Sequence, residues 1–262
     1  MSVADVPRAD PLGGACGVLP TRVPLARGAD AARALARDGA VVLTGAEVTA
    51  DALVVAAATV LGARLRELYP LRERASRDGG PVHLHADGLD FVVDVGGVPT
   101  RRRHPDEDHV LVQSVRPAPS GGASLVLDAY RLVDRLAEED PELHAFLTTV
   151  DVDLYGAWAG LRGLPALPRV ARHVEFTRAG RRVVRRTDGA VPLRRDPREG
   201  YVREMLARFE ARVHGLEASL PRLSLARGEI LLLDNYRCWH GRDPHEGERS
   251  VRILTLRGED AR

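Results

Sequence analysis

The stretch Gly228 to Pro244, GEILLLDNYRCWHGRDP, decides how the chain is read. Ile230 to Leu233 is an apolar run of strand length, bounded by Gly228-Glu229 before it and Asp234-Asn235 after it. Asp and Asn side chains bond nearby backbone groups, so this pair predicts a turn. His240 follows strand and turn directly. A second strand-like run, Val251 to Leu256, closes the chain, with Arg249 at its start. A hairpin between the two runs would set Arg249 on a strand beside His240, where its planar fork could grip a carboxylate with two parallel bonds.

Working outward, the next informative segment is HLHADG, His83 to Gly88. His85 and Asp87 are two apart in a strand-like run, so both side chains leave the same face. One imidazole and one carboxylate from such a pair, completed by a distant imidazole, make the facial triad of two histidines and one carboxylate. That set leaves coordination positions open and suits non-haem Fe(II). A His-x-Asp pair alone arises readily by chance among nine histidines; His240 and its setting supply the third ligand. His83 shares a face with His85 and reads as packing or as a group orienting that ligand.

The rest of the chain supplies a frame. Residues 1–28, rich in Gly and Pro, read as an irregular lead-in. Residues 29–37 read as helix and Ala40 to Leu43 as a buried strand. Thr49 caps a helix that Gly62 ends near Leu61. Arg64 to about Arg74 reads as a second helical stretch. Pro81 to Asp94, Asp108 to Val115 and Ala123 to Leu127 read as strands, residues 130–149 lean to helix, and Gly156 to Pro168 is long enough for a lid. Arg198 to Leu220 has an apolar repeat of helical period: Val202, Met205, Leu206, Phe209, Val213, Leu216. Early helices, many short strands and one late helix predict an α+β domain with a mainly β core. A jelly roll, or double-stranded β-helix, buttressed by helices fits better than a parallel sheet. The expectation is one domain over 1–262, with the jelly-roll core at about 80–257.

Composition excludes several classes. The net charge is +1 and no aromatic residues interleave the arginine clusters, which argues against a nucleic-acid surface; that every basic residue is arginine reads as a compositional bias. The longest apolar run, Ala52 to Ala63, is about half the ~20 residues a membrane span needs. The N-terminal stretch lacks the apolar segment of a secretory signal. Cys16 and Cys238 form no CxxC pair, so reduced thiols in a cytoplasmic setting are expected. The expected partner is a small molecule, with oligomeric state open.

Several separated blocks resemble the taurine dioxygenase and clavaminate synthase-like branch of the Fe(II)/2-oxoglutarate oxygenases. DGAVVLTG (38–45) resembles its N-terminal strand, and His85-Ala86-Asp87 matches its first two ligands. VRPAPSGGASLVLDA (115–129) resembles the segment whose hydroxyl contacts 2-oxoglutarate, a place taken by Ser124. The 228–244 block resembles the segment carrying the distal ligand, His240, and the arginine that follows in the family falls on Arg249. The blocks span about residues 39–257. The resemblance implies a dioxygenase binding Fe(II), 2-oxoglutarate and O2, with His85, Asp87 and His240 on the metal and Ser124 and Arg249 on the co-substrate. It implies oxidation, by default hydroxylation, of an amino acid or small natural-product intermediate, with release of succinate and CO2. Halogenation is disfavoured, because Asp87 fills the position a halide would need. Two departures stand out. Ile253 replaces the second arginine many relatives carry, and DVGGVPTRRRHPDED (94–108) is a longer link than usual. The competing readings are a non-catalytic metal-binding β-barrel and a cupin-like metal-dependent isomerase or hydrolase, neither of which requires Ser124 or Arg249.

Overall fold

The structure is a computed structural model and describes residues 11–88, 91–102, 107–158 and 168–261. It is a mixed α+β arrangement built on two main sheets. The larger runs, in hydrogen-bonded order, Thr21–Pro24, Ala40–Thr44, Ile230–Asp234, His109–Arg116, His245–Gly258 and Leu65–Leu68, with Arg72–Gly79 and Ser120–Gly121 also paired to the long strand His245–Gly258. The smaller has Ser124–Asp128, Cys238–Arg242 and Val82–His85, with Cys238–Arg242 in the middle.

Side-chain alternation sorts these strands into layers. Ala40, Val42, Leu231 and Leu233 of the large sheet cluster with Val126 and Cys238 of the small one, so the two sheets face each other across that apolar layer. The opposite residues of the large sheet, among them Val41, Leu43, Leu111, Ile230, Leu232 and Leu254, pack against the helices Gly28–Asp38 and Ala50–Leu61. The outer face of the small sheet, with Leu84, Leu125, Leu127 and Trp239, is covered by Ala129–Glu139, Pro141–Thr149 and Glu199–Glu217. Both sheets are thus backed by helix, which explains why Ile230–Asp234, central in the large sheet, is apolar on both faces rather than alternating. Buried Trp239 still needs a hydrogen bond, and its Nε1 donates to the Val184 carbonyl at 2.9 Å.

The expected helix caps are present: Thr49 Oγ1 accepts from Ala52 N at 3.2 Å, and Gly62 ends that helix. The long helix spans Glu199–Glu217, with Val202, Met205, Phe209, Val213 and Leu216 buried. Residues 130–149 form two helices, separated where Asp140 caps the second and Pro141 opens it. Two expectations need correction. The Arg64 to Arg74 stretch is not helix but two strands, Leu65–Leu68 and Arg72–Gly79. Its charged composition suits a helix, but pairing along His245–Gly258 decides the outcome. The lead-in is more ordered than expected, with a helix at Pro11–Cys16 and the strand Thr21–Pro24 parallel to Ala40–Thr44. His240 follows the strand Ile230–Asp234 and a turn as expected, and itself lies in a further strand, Cys238–Arg242. The lid expected at 156–168 begins with a 3-10 turn, Gly156–Trp158, and its residues 159–167 lie outside the described residues. The long link is partly a hairpin, Phe91–Val95 with Val98–Arg102, and residues 103–106 likewise lie outside.

Candidate metal centre and co-substrate bay

Strand pairing brings the three expected ligands together. His240 stands directly opposite His85 in the antiparallel pair of Cys238–Arg242 with Val82–His85. By alternation His240 shares the inward face of Cys238 and Val126. The two imidazole rings lie 4.4 Å apart, centroid to centroid. Asp87, two residues beyond His85, places Oδ1 3.6 Å from His85 Nε2. One potential ligand atom from each of His85, Asp87 and His240 lies within 4.8 Å of the others. No other such grouping of three occurs among the described residues.

The surroundings orient His85 and hold His240 and Asp87 in ligating form. His85 Nδ1 is bonded to the His83 carbonyl oxygen at 2.9 Å, which leaves Nε2 toward Asp87. The His83 backbone, not its ring, therefore orients the ligand; the ring turns to Glu217 and His214. Burial, reinforced by the neighbouring His85, pushes His240 down to about 3, so its imidazole is neutral, as ligation requires. Its Nδ1 is buried and meets no hydrogen-bond partner. Burial would raise the Asp87 carboxyl, but His85, His240 and Arg72 outweigh it and hold it far below the usual carboxylate range. A neutral imidazole with an orphaned nitrogen, a second oriented imidazole and an ionised carboxylate fit a divalent ion of the iron type.

Two supports escaped the sequence reading. Asn235, assigned only to a turn, accepts from Asp87 N and donates to Asp87 O, each at 2.9 Å, and also donates to Glu107 O at 2.8 Å. Arg72, assigned to a helix, sits 3.4 Å from Asp87 Oδ2. The signal for Arg72 lay in the period-two spacing of Arg72, Arg74 and Ser76, which stand opposite Ile253, Val251 and Arg249. Asp234 does build the expected turn, its Oδ1 accepting from Tyr236 N and Arg237 N.

Ser124 and Arg249 approach from different sheets. Ser124 is buried opposite Arg242, two residues along from Val126, the partner of His240. The expected hairpin between the last two strands does not exist. The chain leaves the small sheet after Arg242 and enters the large one at His245, so Arg249 reaches in from the facing sheet. It still shares a face with Val251 and Ile253, and Arg252 points away to Glu73 and the Val48 carbonyl, as alternation predicts. The Arg249 chain passes Gly122, where an added Cβ would stand 3.5 Å from its Cδ. Burial, and then the charge of Arg242, lowers the Arg249 guanidinium to about 10. Arg242 donates to the carbonyls of Asp243 and Gly80 and feels the Asp243 carboxylate, whereas Arg249 has no hydrogen bond or ion pair among the described residues. Two half-buried guanidiniums without an anion between them fit a carboxylate ligand.

Two imidazoles and one carboxylate, set between facing sheets near two half-buried arginines, make the donor set that suits a non-haem iron oxygenase. The comparisons agree. Residues 11–256 match the family described as "Taurine catabolism dioxygenase TauD, TfdA family", and the chain belongs to that family. It is a 2-oxoglutarate-dependent non-haem iron dioxygenase. No curated protein matches. Among solved structures, AAD-2 in complex with Mn(II) and N-oxalylglycine is similar at a TM-score of 0.61 and 14% identity, over 92% of this chain and 95% of that one. A taurine dioxygenase from Burkholderia xenovorans is similar at 0.60 and 15%, over 93% and 89%. PvcB, an Fe, alpha-ketoglutarate dependent oxygenase from an isonitrile synthetic pathway, is similar at 0.57 and 18%, over 98% and 94%. At these identities the likeness is one of fold.

Proposed function

We propose that His85, Asp87 and His240 hold Fe(II), that Ser124 and Arg249 hold 2-oxoglutarate, and that the enzyme hydroxylates a small polar molecule, an amino acid or natural-product intermediate. The observation that carries this reading is the convergence within 4.8 Å of one potential ligand atom each from His85, Asp87 and His240, the last remote in sequence from the other two. When bound, the ferrous ion supplies activation of O2, coupled to conversion of 2-oxoglutarate to succinate and CO2. The chain's own groups bind and orient. The His83 carbonyl fixes the His85 ring, Asn235 fixes the Asp87 backbone, and Arg249 supplies charge for the remote carboxylate of the co-substrate. A cupin-like isomerase or a non-catalytic barrel gives no role to a half-buried, unpaired arginine. In this reading the facing sheets are the two halves of a double-stranded β-helix within one domain. The two cysteines, both free and buried, accord with a reducing, cytoplasmic setting.

The test is optical and chemical. Anaerobic protein with Fe(II) and 2-oxoglutarate should develop a visible charge-transfer band that is lost in His240→Ala and weakened in Arg249→Ala. Succinate release under air should follow the same order. A folded wild-type protein that shows no band removes the assignment.

A further inference from the structure

A cavity of about 550 Å³ opens directly beside His85 and Asp87, a volume suited to one small ligand. Its roof is aromatic. The rings of Tyr155 and Trp158 stack 5.8 Å apart and 14° from parallel. Glycine at two wall positions allows this. A Cβ on Gly88, the residue after the Asp87 ligand, would stand 2.5 Å from the Tyr155 hydroxyl oxygen, and one on Gly189 would stand 2.9 Å from the Trp158 ring. The turn carrying Trp158 is tied to the same wall by Ala157 N donating to Gly189 O at 3.1 Å. The aromatic roof is therefore fixed over the metal-ligand segment, and Asp188, exposed, is the residue next to Gly189.

The charge of the lining is asymmetric. Asp188 and Glu210 contribute carboxylates, Glu210 from the long helix. The one arginine in the described lining, Arg186, is 2% exposed at its side chain and is already ion-paired with Glu210. Asp188, exposed and without a cation partner in the described lining, leaves the cavity with one carboxylate that Arg186, buried and committed to Glu210, does not neutralise by contact. An aromatic face beside surplus carboxylate is the chemistry that recognises an organic cation. A second anion placed there would be repelled.

We propose that this cavity takes a substrate with a cationic side chain, an amine or guanidinium, seated on the Tyr155–Trp158 face with Asp188 as its counter-charge. The inference rests on the oxygenase reading, which makes the space beside His85 and Asp87 the place of the substrate. The test is anaerobic calorimetry of the Fe(II)–2-oxoglutarate protein with four probes: L-arginine, agmatine, the neutral near-isostere L-citrulline, and L-glutamate. At least one of the two cations should bind, with L-arginine at least about fivefold tighter than L-citrulline and L-glutamate weakest, given the strength of exposed cation–π and ion pairs. In Asp188→Asn the preference for L-arginine over L-citrulline should shrink to about twofold or less, and Asp188→Glu should restore it. In turnover the Asp188→Asn defect should fall on KM rather than kcat. Equal binding of L-citrulline and L-arginine, a preference for L-glutamate, or no binding of either cation overturns the proposal. The charge-transfer band recorded in the same samples separates this failure from failure of the oxygenase reading.

Discussion

Asn235 spends its whole amide on backbone, two bonds to Asp87 and one to Glu107. Removing it leaves buried peptide groups unpaired and frees the segment carrying a metal ligand. Asn235→Ala should cost about 2–3 kcal/mol in a denaturant titration and weaken metal binding about 10–100-fold. A variant with unchanged metal affinity would show that Asp87 is placed without it. His173 offers a second test. It is buried against Phe146 and Phe209, with Nδ1 bonded to the Arg185 carbonyl oxygen and Nε2 without a partner. Burial lowers it from 6.5 to about 4. The unfolded chain then binds more protons than the folded one below the unfolded value. This contribution is full above about pH 6.5 and is lost as pH falls toward 4, by up to about 3 kcal/mol. In His173→Asn, whose amide can keep the bond to Arg185, the fall in Tm between pH 7 and 5 should be smaller than in wild type. At this scale the sequence revealed His85, Asp87 and His240 because ligand chemistry restricts residue type and strand period fixes direction. Asn235 was hidden, since its partner is 148 residues away and a turn already explained it locally.

Among the elements, the strand Arg72–Gly79 shows where local reading fails. Its residues carry the composition of a solvated helix, and only the register with His245–Gly258 makes them a strand with Arg72 beside Asp87. The helices with Thr49 and Asp140 at their starts were legible because a cap acts within one turn. The turn at Gly121-Gly122 is a sharper test of element-level design. Gly122 has φ of +71°, and a Cβ there would meet His245 Cβ at 3.2 Å and Arg249 Cδ at 3.5 Å. Gly122→Val combines backbone strain with displacement of Arg249. It should lower stability by about 1–3 kcal/mol and raise the KM for 2-oxoglutarate more than it lowers kcat. An unchanged KM would detach Arg249 from the co-substrate.

For the whole molecule, the relevant fact is that both sheets supply part of the candidate site: His85 and His240 stand on the small sheet, Asp87 follows its strand, and Arg249 and Arg72 stand on the large one. Anything that binds only the assembled pair stabilises the fold by mass action. A divalent ion such as Co(II) at 100 times its dissociation constant should add about 2.7 kcal/mol, a rise in Tm of roughly 5–10 °C for a chain of this size. His240→Ala should show little or none of that rise, while remaining folded in the absence of metal. The expectation of a hairpin joining His240 to Arg249 failed at this level, because a chain that crosses between sheets at Asp243-Pro244 looks, in sequence, like one that turns back on itself.

The register of His240 against His85 also orders events during synthesis. A ribosome releases His85 and Asp87 long before His240, and the strand that completes the ion's grip pairs in the middle of its sheet, between segments already made. In the proposed assignment, capture of the ion therefore waits for the strand Cys238–Arg242 to dock, and a chain stopped short of Cys238 should bind Fe(II) far more weakly than one that includes it.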